Sequence, residues 1–114
     1  MRARRAALDR TLAALADPQR RGIIDLLREH PRPAGELARR AGISAPAMSR
    51  HLRNLRKAGL VTEEHDGFDA RVRIYRLTPQ PISNLKAWLE ETEVLWSKQL
   101  LSFKSHIERT KQSS

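Results

Sequence analysis

The chain has 114 residues, no cysteine and a formal net charge of +9, which excludes disulfides, thiolate metal sites and thiol redox switches. Only 4% of its residues are aromatic, so aliphatic side chains must build the core, and no run of about 18 apolar residues is present to cross a membrane. Residues 1–76 hold 17 of the 22 Lys and Arg against 9 of the 13 Asp and Glu, whereas residues 77–114 are nearly balanced. A polyanion partner fits that division better than general solubility or an anionic membrane surface.

Length and an unbroken composition predict one domain over residues 1–114. The N-terminus is basic, but Asp9 and Arg10 break the adjoining segment and leave no apolar stretch of signal-peptide type, so the expected location is the cytoplasm. Leu8, Leu12 and Leu15 fall at i, i+4 and i+7 and predict a first helix over 4–16. Asp17-Pro18 is a restart signal, because Asp caps a helix and Pro suits its first position. Ile23, Ile24, Leu26 and Leu27 give the buried side of a helix over about 18–29, which Pro31 and Pro33 stop. A short helix over about 34–41 buries Leu37 and Ala38 and ends at Gly42, where a left-handed residue is wanted. Ile43 tucks inward, Ser44 fits an N-cap, and Met48, Leu52 and Leu55 stripe a helix over about 45–58 that Gly59 ends.

Leu60–Glu64 and Val72–Leu77 read as two strands joined by a loop around Asp66-Gly67. Beyond Pro79 and Pro81, Ile82, Leu85, Leu89, Thr92, Trp96, Leu100, Phe103 and Ile107 lie within about 40° of one line at 100° per residue, giving a helix over 82–109. The expected architecture is mainly α with a small β-hairpin, about five helices in all. Two helices over 34–58 joined by a short turn containing Gly describe a helix-turn-helix, and the hairpin over 60–77 makes it winged.

Burial of Met48, Leu52 and Leu55 turns Pro46, Arg50, Arg53 and Lys57 outward, flanked by Ser49 and Arg56. A polar, cationic helix face suits the major groove of B-DNA, where arginine can donate two hydrogen bonds to guanine O6 and N7. Arg50 is the expected base reader, with Ser49 and the Ser44, Ala45, Pro46 and Ala47 turn at the groove floor. Arg53, Arg56 and Lys57, toward the C-terminal end, suit phosphates, and Asn54 joins the same DNA-binding surface. His51 sits about 60° from the Met48 direction, at the edge of the buried side. It is expected to pack there and bond to backbone or phosphate rather than read a base. In the wing, Arg71 and Arg73 are candidates to grip phosphates or enter a minor groove, while Asp66 and Asp69 at the tip oppose deep insertion. Ser49 and His51 are two apart on one helix and do not face each other, so no catalytic pair is expected and the chain does not read as an enzyme.

The chain resembles the ArsR family of bacterial winged-helix repressors over almost its whole length. The resemblance lies in LADPQRRGIIDLL at Leu15–Leu27, GELARRAGIS at Gly35–Ser44, MSRHLRNLRKAGLV at Met48–Val61 and RIYRLTPQP at Arg73–Pro81. It implies a symmetric dimer joined through the first and last helices that represses its own operon until a ligand relieves it. Metal-sensing members carry a Cys-x-Cys pair where this chain has Pro33-Ala34-Gly35, and other members bind zinc through paired Asp/His and His/Glu on the last helix. Here that helix offers Glu90, Glu91, Glu93, His106 and Glu108, from which four tetrahedral zinc ligands cannot be assembled. The chain is therefore similar to a metal-independent branch, with no metal, cofactor or recognisable sensor expected.

A helix over 82–109 would be roughly 42 Å long, and a chain of this size has a radius of gyration of only about 13 Å. Its stripe cannot be buried within one subunit, and Val94 with Leu101 forms a second apolar pair opposite Trp96. A homodimer closed by Leu89, Trp96, Leu100, Phe103 and Ile107, with Leu8, Leu12 and Leu15 beside them, removes the aggregation hazard. Two recognition helices then read half-sites of a near-palindromic double-stranded DNA operator and exclude RNA polymerase. The rival readings are a sequence-neutral architectural DNA binder and a dimeric protein-interaction module.

Overall fold

The computed structural model describes residues 2–112. They run as α1 (Arg2–Leu15), α2 (Pro18–Glu29), β1 (Arg32–Pro33), α3 (Ala34–Ala41), α4 (Ala45–Lys57), β2 (Val61–His65), β3 (Arg73–Leu77) and α5 (Gln80–Gln112). By internal packing they divide into one unit ending at Ser83 and a second that begins at Asn84.

In the first unit the α1–α2 corner is built from paired caps. Asp17 Oδ1 accepts from the backbone N–H of Gln19 at 2.7 Å and of Arg20 at 3.3 Å, satisfying orphan donors at the start of α2. Arg20 Nε donates to the Ala14 carbonyl at 2.7 Å and Arg21 Nη1 to that of Leu15 at 2.7 Å, doing the same for the end of α1. Burial pushes the Asp17 carboxyl up, but the two N–H bonds and the charges of Arg20 and His51 outweigh it and hold the pKa below its ordinary value. The face of α1 that is buried carries Thr11 and Ala14; Leu8 and Leu15 are half-buried and Leu12 is exposed.

The core gathers Ile23, Ile24 and Leu27 of α2, Leu37 and Ala38 of α3, and Met48, Leu52 and Leu55 of α4 against Leu60, Val61 and Tyr75. Every helix stripe expected from apolar spacing in α2, α3 and α4 is thus found facing inward, with Leu26 and Ile43 packed at its margin. Gly42 at φ 68° and Gly59 at φ 76° end α3 and α4 in the left-handed region that a side chain would disfavour. After Gly42 the N–H of Ile43 reaches the Ala38 carbonyl at 3.2 Å, the wrapped bond that closes the helix-turn-helix corner.

The sheet corrects the expectation of a two-stranded hairpin. It has three antiparallel strands in the order β1-β3-β2, because Arg32 and Pro33 pair with Tyr75 and Ile74. Pro31 and Pro33 do stop α2, but Pro33 also sits on the sheet edge, where its missing N–H removes no ladder bond. Arg32 is 1% exposed; its guanidinium donates to the Leu26 carbonyl at 3.1 Å and to the carboxylates of Glu29 and Glu36. A buried cation is tolerated when it is paired and hydrogen-bonded in this way. The Arg32 hydrogen bond, aided by Arg40, holds the Glu36 carboxyl below its ordinary pKa. The hairpin register pairs Val61 with Leu77, Glu63 with Tyr75 and His65 with Arg73, so β2 starts one residue later than its apolar pattern suggests. Leu60 is buried just ahead of it, its carbonyl accepting from the N–H of Thr78 at 2.9 Å.

In the second unit α5 continues as one uninterrupted helix. The whole of α5 has 33 residues, about 50 Å at 1.5 Å per residue, longer at both ends than the apolar stripe predicts. All described residues from Trp88 to Lys111 are exposed, Val94, Leu95, Trp96, Leu100, Leu101, Phe103 and Ile107 among them. No helix is long and apolar enough to cross a membrane among the described residues.

Candidate nucleic-acid interface

The interface candidate begins with how α4 is anchored. Ser44 caps it, its hydroxyl accepting from the Ala47 N–H at 3.2 Å, and Pro46 lies in the first turn where no N–H is required. Met48, Leu52 and Leu55 are almost wholly buried, which fixes the rotation of the helix about its axis. Ala45, Pro46, Ser49, Arg50, Arg53, Asn54, Arg56 and Lys57 are consequently exposed, and Ala47 is half-buried. Among the described residues none pairs with the side chains of Arg50, Arg53 or Lys57.

The other cations expected to meet DNA, Arg56, Arg71 and Arg73, are engaged. Arg56 Nη1 lies 2.8 Å from Glu63 Oε2, and Arg73 Nη1 lies 3.1 Å from Glu63 Oε1. Helical and strand spacing alone would leave both free for DNA phosphates. Tyr75 donates its hydroxyl to Glu63 Oε2 at 2.9 Å, so one carboxylate joins the last turn of α4 to the wing. Burial, and the bond to Glu63, push the Tyr75 phenol above its ordinary pKa. Arg71 Nε lies 3.2 Å from Asp69 Oδ1, and the same oxygen accepts from the Arg71 N–H at 3.0 Å, which keeps the Asp69 carboxyl below its ordinary pKa. Asp66 Oδ1 accepts from the Phe68 N–H at 2.9 Å. The tip aspartates thus fold the loop, leaving Phe68 fully exposed between them.

His51 is half-buried at the edge of the core, and in the structure its ring meets a side chain of another helix. Its Nε2 lies 2.7 Å from Gln19 Oε1 of α2, tying the recognition helix to the α1–α2 corner, while Nδ1 is buried without a partner. Asn54 and Lys57 also face a shallow cleft of about 260 Å³, where Arg10 and Arg20 add two cations over Ala13, Ala14 and Ala58. No group of three or more His, Cys, Asp or Glu side chains gathers as for a metal ion among the described residues.

Sequence reasoning missed Glu63 and Gln19. Glu63 was legible in principle: it lies two residues after Val61, and alternation along a strand puts both on the inner face. Gln19 carried no signal, since its partner is 32 positions away.

Residues 15–64 match a family model described as a helix-turn-helix domain. The chain is 36% identical over 100 residues to the HTH-type transcriptional regulator Rv2034 of Mycobacterium tuberculosis, covering 88% of each protein. It is 35% identical over 60 residues to the transcriptional repressor SdpR of Bacillus subtilis, covering 53% of this chain and 67% of that one. Among solved structures it is similar to an ArsR-like transcriptional regulator from Rhodococcus sp. RHA1, with a TM-score of 0.77 and 30% identity over 88% of this chain and 92% of that one. With an exposed cationic recognition helix, a wing beside it and relatives of this similarity, the chain belongs to the ArsR family of winged helix-turn-helix, DNA-binding transcriptional regulators.

Proposed function

We propose that the chain works in the cytoplasm as a homodimeric repressor that reads a near-palindromic operator, placing α4 of each protomer in successive major grooves. The observation that carries this is the unpaired trio Arg50, Arg53 and Lys57 on a helix whose opposite face is locked by Met48, Leu52 and Leu55. Arg50, with Ser49 and the Ser44–Ala47 turn, is the base reader, and Arg53 and Lys57 hold phosphates. The exposed apolar residues of α5 supply the subunit contact, with a contribution from α1, because a lone subunit would present them to water. Repression follows from occupancy of a promoter, and SdpR, a named repressor, supports that direction of control. The role is binding, not catalysis, in keeping with the regulators to which the chain is similar. Neither a metal nor a cofactor enters this scheme.

The test is selection of bound duplexes from a random pool, followed by footprinting on the enriched sequence and on the region upstream of the protein's own gene. A single protected, near-palindromic site is the expected result. Uniform protection would instead mean an architectural binder, and failure to retain any duplex would leave a protein-interaction module.

A further inference from the structure

Glu63 stands out because it is an acid held between two arginines, Arg56 and Arg73. It is 11% exposed, on the inner face of the wing one step beyond the buried Val61. Its cross-strand partner is Tyr75, and Arg73 is the diagonal neighbour on the same face, so strand pairing presents both to it. Arg56 arrives from the last turn of α4. The carboxylate accepts hydrogen bonds from Arg56 and Tyr75 and forms an ion pair with Arg73, and each arginine keeps half or more of its side chain exposed. An oxyanion gripping two guanidinium groups from two different elements is the arrangement a backbone phosphate would take there.

We propose that Glu63 occupies the place of a DNA phosphate in the free protein and thereby restrains sequence-independent binding. It is a positioning residue. It holds Arg56 and Arg73 against the wing and reduces the charge of that cluster from +2 to +1, and an arriving phosphate must compete with it for both arginines. This inference rests on the DNA-binding reading and assigns a residue to its regulation.

Salt dependence separates this role from a merely structural one, since log affinity falls with log salt by about 0.9 per phosphate neutralised. With a random-sequence duplex as probe, Glu63→Gln should bind several-fold more tightly than wild type at low salt. Its salt slope should steepen by about 0.9 per engaged protomer. Tyr75→Phe removes one hydrogen bond but no charge and should leave the slope alone. Arg56→Gln alters an exposed side chain, so it tests the idea even if Glu63→Gln fails to fold; its slope should flatten by about 0.9 per protomer. Unchanged or weaker random-duplex binding by folded Glu63→Gln, an unmoved slope in Arg56→Gln, or an equal gain in Tyr75→Phe would each overturn the proposal. Wild-type protein that binds no duplex at all would instead defeat the DNA-binding reading beneath it.

Discussion

Arg50→Ala should cost the selected duplex far more than a random one. Arg50 is exposed on α4 and no described residue pairs with it, so its removal breaks no internal bond. Folding stability should therefore move by less than about 0.5 kcal/mol. A bidentate arginine–guanine contact is worth roughly 1–3 kcal/mol of discrimination, and a two-fold symmetric complex holds it twice. The loss on the selected duplex is then about 2–6 kcal/mol, or roughly 30-fold to 2 × 10⁴-fold in affinity. Lys57→Ala provides the contrast, because a phosphate contact carries no sequence information. It should weaken selected and random duplexes by the same factor and flatten the salt slope by about 0.9 per protomer. Fluorescence anisotropy on the selected duplex, on its single-base variants and on a random duplex at several salt concentrations measures all of these. An Arg50→Ala protein that keeps the wild-type preference at every base position would refute the assignment of Arg50 as reader. Loss of that preference in Lys57→Ala would refute the division of labour along α4.

Ser44→Ala removes the acceptor for the Ala47 N–H and should lower stability by about 0.5–2 kcal/mol in denaturant titration; a change within error would mean that water replaces the cap fully. Trp96→Glu places a charge among the exposed apolar residues of α5 and should convert the dimer to monomer in sedimentation, with operator binding lost at protein concentrations that saturate wild type. An unchanged dimer would place the subunit contact elsewhere. The depressed carboxyls of Asp17, Glu36 and Asp69 stabilise the fold above their ordinary pKa values of 3.8, 4.5 and 3.8, and that contribution is lost as pH falls through their lower folded values. Melting temperature should therefore drop on acidification below about pH 4.5, and drop less steeply in Asp17→Asn with Glu36→Gln; parallel curves would show that these groups are not the cause.

Helices α2, α3 and α4 were legible because each carries a period of 3.6 with a chemical stop at either end. Met48, Leu52 and Leu55 between Ser44 and Gly59 state the orientation of the recognition helix almost completely, and with it the outward set Arg50, Arg53 and Lys57. What stayed hidden depends on distant partners. Arg32 and Pro33 form a strand only because Tyr75 and Ile74 lie beside them, and two residues are too short to show a period. The same holds for the charges. Helical spacing tells that Arg56 faces outward, but not that Glu63 of another element waits there. In α1 the leucine spacing does mark a helix, yet the face turned inward carries Thr11 and Ala14. The small side chain of Ala14 permits close approach, and Thr11 gives its hydroxyl to the Ala7 carbonyl at 3.1 Å. Polar or small residues leave no mark in an apolar count.

The proposed pairing of two subunits can be argued from the recognition helix as well as from α5. On the proposed reading one α4 presents one base-reading cation, Arg50, and each bidentate contact discriminates by only about 1–3 kcal/mol. A regulator must prefer its site over competing sequence by about 4–10 kcal/mol. Lys57 and Arg53 cannot close that gap, because phosphate contacts strengthen right and wrong sites alike. Doubling the reading head raises discrimination to about 2–6 kcal/mol, into the lower part of that range, provided the second copy is held in fixed register with the first. The exposed Val94, Trp96, Leu101 and Phe103 offer the means of attaching that copy. Apolar surface left uncovered on one element and specificity lacking on another thus have the same remedy. If so, variants that weaken α5 pairing should lose preference for the selected duplex before they lose affinity for random DNA.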